Sequence, residues 1–190
     1  MKLFAQLFLD LDRTNKTNDK VALLKNYFLN ASGPDKIWAL ALFTGRRPSF
    51  KVNSTQVQQW AAAEAEIPDW LFRESYNSVG DLGETISLIL PRYASSSSEK
   101  SLSEWFDYLS LLPKLNEEEK RNHILNAWKQ LNRHETFVFN KLLMLIYLFL
   151  IIIILAAVYC FKLAAVYTDG GFAQQLSIAE KLYVQPEHAL

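Results

Sequence analysis

Residues 75–91 read SYNSVGDLGETISLILP. A short polar turn, residues 79–85, opens onto an apolar run, residues 86–90, that Pro91 stops. Gly80 and Gly83 permit a positive φ or a close backbone approach. Asp81 is placed to cap a helix over 83–90, with Glu84 three residues on, where a capping box wants an acid. A helix N-terminus with bare amides beside glycines also holds phosphate. The segment therefore reads either as an ordinary capped helix or as an anion-binding turn.

The pattern on both sides is helical. Leu3, Phe4, Leu7, Phe8 and Leu11 fall on one face of a helix over 2–12. Thr17 or Asn18 is the expected cap of a second helix, which carries Val21, Leu24, Tyr27 and Phe28 and ends at Ser32-Gly33-Pro34-Asp35. A third spans 35–43, with Pro34 at its start. Asn53 or Ser54 caps a helix over 55–65, and another covers 70–77. Downstream of the quoted stretch, a serine-rich linker occupies 94–101. Ser101 or Ser103 then caps 102–112, which Pro113 ends. Asn116 caps 117–131, whose three leading glutamates suit a positive helix N-terminus. A last helix starts near His134. The five tryptophans (38, 60, 70, 105 and 128) read as core residues.

At Leu142 the character changes. Residues 142–161, LLMLIYLFLIIIILAAVYCF, hold no charge and are bounded by Lys141 and Lys162. A bilayer core takes about 20 such residues as a helix. Ile151, Ile152, Ile153 and Ile154 also suit a buried strand, so the run reads as a transmembrane candidate or a buried segment. The tail, 162–190, turns at Thr168-Asp169-Gly170-Gly171 and has one short helical pattern over 172–183. The expected organisation is thus a helical domain over 1–141, an apolar segment over 142–161 and a tail.

With 190 residues, half of them apolar, the chain has material for one core. Lys+Arg and Asp+Glu are both 20, so net charge indicates no partner, but the distribution is uneven. Arg13, Lys16, Lys20, Lys25, Lys36, Arg46, Arg47 and Lys51 meet only Asp19 and Asp35 in the basic portion. Residues 64–119 hold twelve acids against Arg73, Arg92, Lys100 and Lys114. This marks an anion-binding face or a set of solvated helices. Cys160 is the single cysteine, which excludes an intrachain disulfide.

Little of the sequence suggests a self-contained active site. His123, His134 and His188 lack metal-ligand spacing, so no metal is expected, and with no Ser/His/Asp arrangement standing out no catalytic residue is expected either. GxxxxGK[ST] and GxSxG are absent. Anion binding remains. Gly45-Arg46-Arg47-Pro48 puts two guanidinium groups on a stiffened loop, and Arg forks match phosphate oxygens. Lys51 follows, Lys16 lies near a helix start, and the Gly80/Gly83 turn adds backbone donors. Such contacts position a duplex without reading its bases.

Taken in order, MKLFAQLFLDLDRTNKTNDKVALLKNYF, WALALFTGRRP, WLFRESYNSVGDLGETISLILP and NKLL resemble the N-terminal domain of bacterial ATP-dependent DNA ligases over residues 1–143. The resemblance implies an all-α, compact multi-helix domain that grips nicked duplex DNA through its sugar-phosphate backbone. It implies service in DNA repair, replication or recombination. Arg46 and Arg47 fall on the family's GRRP loop, Gly80, Asp81 and Gly83 on its phosphate-facing turn, and Lys141 at the start of a further DNA-contacting element. ATP and Mg are implied for the full-length enzyme, and no cofactor is expected in this chain. The chain departs from the family after Leu143, where the apolar run replaces a glycine-containing basic element. The K-x-D-G motif is absent, and Tyr167-Thr168-Asp169-Gly170 has Tyr in place of the lysine. The chain therefore reads as a truncated, fused or frame-disrupted ligase N terminus, inactive alone, with a separate or missing catalytic core as partner. The expected location is cytoplasmic, at the nucleoid. The alternative is a membrane-tethered helical interaction domain anchored in the inner membrane through 142–161, with its N-terminal domain in the cytoplasm.

Overall fold

The computed structural model describes residues 1–43, 48–92 and 98–144. The expectations for Thr44, Gly45, Arg46 and Arg47, for residues 94–97 of the serine-rich linker and for residues 145–190 lie outside the described residues. Nine α-helices and no strand occur among the described residues, as the all-α reading requires. They are α1 (Lys2–Arg13), α2 (Thr17–Asn30), α3 (Gly33–Phe43), α4 (Ser54–Glu64), α5 (Asp69–Val79), α6 (Leu82–Ile89), α7 (Leu102–Ser110), α8 (Glu117–Gln130) and α9 (Arg133–Met144). No helix among the described residues is long and apolar enough to cross a membrane.

Local chemistry fixes most helix starts. Asn53 caps α4 by accepting from the Thr55 amide at 2.8 Å. Ser101 caps α7 and Asn116 caps α8, each in a full capping box, closed by Glu104 and Glu119. The start of α2 differs from expectation. Lys16 occupies the cap position with no side-chain cap bond, and Thr17 already lies inside the helix. Thr14 instead takes the Lys16 amide on its hydroxyl at 3.2 Å. Pro113 also does not simply terminate α7, because it sits inside a 3-10 turn over Leu112–Lys114.

The described residues divide into two compact units. One draws on Met1–Leu9 and Ser49–Ile146, the other on Asp10–Pro48. In the first unit α6 is the organising element, touched by α4, α5 and α9. It has only eight residues, yet Leu82, Thr85, Ile86 and Ser87 are all buried. Trp105, Trp128, Phe106 and Phe139 fill the core, with Trp105 and Phe139 edge-to-face at 5.5 Å. The Trp128 indole donates to Asn140 Oδ1 at 2.9 Å, both residues being buried. Trp70 departs from the core expectation: at the start of α5 it is 63% exposed. In the second unit Leu24 and Tyr27 are buried, and Tyr27 stacks edge-on against Phe28 at 5.6 Å.

Candidate nucleic-acid interface

The turn between α5 and α6 is built from four residues with distinct tasks. Gly80 ends α5 in the left-handed region, φ 80°, and its amide donates to Tyr76 O at 2.8 Å. A side chain there would strain the backbone, which explains the glycine. Asp81 is extended and caps α6, with Oδ1 accepting from the Glu84 amide at 2.9 Å. Its carbonyl accepts from the Thr85 amide at 2.9 Å and from Thr85 Oγ1 at 2.6 Å. The amides of Asp81, Leu82 and Gly83 precede the helical hydrogen-bond ladder and have no partner within it.

Gly83 has a packing role. A Cβ built on it lies 3.4 Å from Phe137 O and 3.5 Å from Asn140 Cβ, both on α9. Any branched side chain would push α9 away. The glycine thus lies in close contact with α9, and it is buried.

Lys141, in the last turn of α9, forms an ion pair and hydrogen bond with Asp81 Oδ2. Its side chain is 9% exposed and that of Asp81 24%. The ammonium also lies 5.4 Å from the Phe137 ring centre, a favourable cation–π placement. The two residues are 60 apart in sequence. Each complements its own helix dipole, an acid at the start of α6 and a base at the end of α9. Packing α9 antiparallel to α6 then brings the two ends together. That pairing is what sequence reasoning missed: it singled out both residues but could not see that they hold each other.

The remaining candidates are placed separately. Lys51 belongs to the first unit, is exposed, and adopts φ 51° just after the buried Phe50. Lys16 is exposed in the second unit at the head of α2. Gly80, Asp81, Gly83 and Lys141 are brought together at the α6–α9 junction. Among the described residues no group of three or more His, Cys, Asp or Glu side chains is arranged to hold a metal.

A family model described as DNA ligase N terminus matches residues 1–144. It covers all the described helices and ends where α9 ends. No curated protein matches the chain.

Proposed function

This chain belongs to the DNA ligase N-terminal family, the N-terminal domain of ATP-dependent DNA ligases, and from that premise we propose that it binds nicked duplex DNA through the sugar-phosphate backbone, without reading sequence. The observation that carries the proposal is the junction of α6 and α9. The family's turn folds here as a capped helix start with three amides outside the ladder, and Lys141 stands behind it. In this reading Gly80, Asp81 and Gly83 shape a phosphate-facing turn. Arg46, Arg47, Lys51 and Lys16 supply cations, and Lys141 neutralises the turn's carboxylate.

The adenylyl-transfer chemistry, with ATP and Mg, is assigned to a catalytic core outside residues 1–144. The module brings that core to a nick in repair, replication or recombination, in the cytoplasm at the nucleoid. Equilibrium binding of the full chain to a nicked duplex across a salt series tests the proposal. Affinity should fall steeply with salt, because each neutralised phosphate releases counterions. Arg46→Ala with Arg47→Ala should flatten the log–log slope by about one to two. An unchanged slope removes the loop from the contact, and absence of duplex affinity overturns the proposal. The competing reading, a membrane anchor through 142–161, predicts that the full chain sediments with membranes and has no duplex affinity.

A further inference from the structure

At the opposite end of the α6–α9 pair from the Gly80 turn lies a cleft of about 520 Å³. α6 has eight residues, so the two features are separated by about 12 Å along it. The cleft floor includes Leu90, Trp128 and Leu131, each less than a tenth exposed. Arg92, just past α6, and Arg133 and His134, at the head of α9, form an exposed rim. Among the described residues no acidic side chain lines the cleft. The nearest acid in sequence, Glu135, is buried and turned to the Ser98 and Asn132 amides at 2.9 and 3.3 Å.

The charge arrangement stands out against its surroundings. Arg92 is one of only four bases among the sixteen charged residues between 64 and 119. Among the described residues no carboxylate pairs with Arg92 or Arg133. Two solvated surface arginines need no explanation, but two that share the rim of an apolar-floored cleft do. Guanidinium forks select phosphate oxygens, and an apolar floor accepts the sugar or base carried by the phosphate.

We propose that the cleft bounded by Arg92, Arg133 and His134 is a second binding site, for a nucleotide phosphate with its nucleoside over Leu90 and Leu131. The ligand is either a nucleotide of the bound DNA strand or a free nucleoside phosphate. The first source rests on the DNA-binding reading, and the second does not.

The full chain, its Arg92→Ala/Arg133→Ala variant and its Arg92→Lys/Arg133→Lys variant are titrated with nicked duplex across a salt series. Each is also titrated with AMP and with inorganic phosphate by calorimetry, after circular dichroism confirms an unchanged helix content. If the strand supplies the ligand, the duplex salt slope falls by about one to two in the alanine variant and is restored in the lysine variant. AMP then shows no binding at millimolar concentration. If the ligand is a free nucleotide, AMP binds more tightly than inorganic phosphate, the alanine variant weakens it at least tenfold, and the duplex slope does not move. A wild-type chain that binds duplex with a slope indifferent to the alanine variant, and does not bind AMP, overturns the second site while leaving the DNA-binding reading intact. A wild-type chain without duplex affinity defeats that reading instead, and the AMP titration alone then decides the cleft.

Discussion

The ion pair between Asp81 and Lys141 should be a net stabiliser with unequal halves. Lys141 has a side-chain exposure of 9%, against 24% for Asp81. At an effective dielectric near 20, two unit charges about 4 Å apart attract by about 4 kcal/mol, from which desolvation must be subtracted. A net coupling of ~1–3 kcal/mol remains. Asp81→Asn keeps an oxygen for the Glu84 amide, and Asn caps as well as Asp, so this variant removes charge and not the cap. It leaves an almost buried ammonium without its counter-charge, beside the Phe137 ring. Lys141→Met leaves a carboxylate that still accepts from an amide and still meets water. Asp81→Asn should therefore cost about 2–3 kcal/mol and Lys141→Met about 1. The double variant should cost less than the sum of the two. In urea, 2 kcal/mol displaces the midpoint by roughly 1–2 M. Urea melts of the four proteins of the cycle measure the coupling directly. If the two single effects add within about 0.3 kcal/mol, or if Lys141→Met is the more damaging, the reasoning is wrong.

Other consequences follow from buried and titrating groups. Asn140→Ala should cost about 1–3 kcal/mol, because it strands the buried Trp128 indole N–H, and the near-UV dichroism of tryptophan should weaken with it. Glu104 is held below the usual carboxylate range by its bonds from Ser101, and Glu117 by its bonds from Lys120 and Gln56. Folded values below unfolded ones add stability above the unfolded value, lost as pH falls through the folded one. Urea midpoints should thus decline below about pH 4, and Glu104→Gln with Glu117→Gln should flatten that decline. Tyr27 is pushed well above the usual phenol range, by burial first and by Asp35 second. Stability should therefore be lost as pH rises past about 10, where the unfolded phenol ionises, and Tyr27→Phe should reduce that alkaline loss, leaving the part due to Tyr108, whose phenol burial also raises.

Features legible in the sequence are those set within four or five residues. The caps Asn53, Asp81, Ser101 and Asn116 were readable because a side-chain oxygen and the amide it meets lie two or three residues apart. Where a pattern failed, a competing local bond had won: Thr14 holds the Lys16 amide, so α2 starts without a side-chain cap. Trp70 failed for another reason. Helical spacing says which residues share a face, but not whether anything covers it. Of the site, Gly80 was legible because the end of α5 demands a left-handed residue. For Gly83 a close approach was one of two readings, but its partner α9 was not legible, nor was the pairing of Asp81 with Lys141. Both arise from α9 closing on α6, a contact between segments about 60 residues apart that no local pattern encodes.

That closure bears on the proposed contact of the turn with DNA. A carboxylate at the mouth of a phosphate site is at first sight a defect. At about 5 Å and an effective dielectric near 20, an unpaired Asp81 would repel a phosphate by about 3 kcal/mol. The Lys141 ammonium cancels most of this while leaving Asp81 free to cap α6 and so to hold the three amides in place. In the proposed DNA-binding reading Lys141 raises affinity without having to touch a phosphate, and the same cycle separates the two possibilities. If it acts by neutralisation, Lys141→Met weakens duplex binding and adding Asp81→Asn restores it, since the double variant is again uncharged at the turn. If the ammonium itself grips a phosphate, the double variant stays as weak as Lys141→Met, and Asp81→Asn alone tightens binding by freeing the lysine. Gly83→Val cannot make this distinction, because a branched side chain there separates α6 from α9 and disturbs the turn and the lysine together.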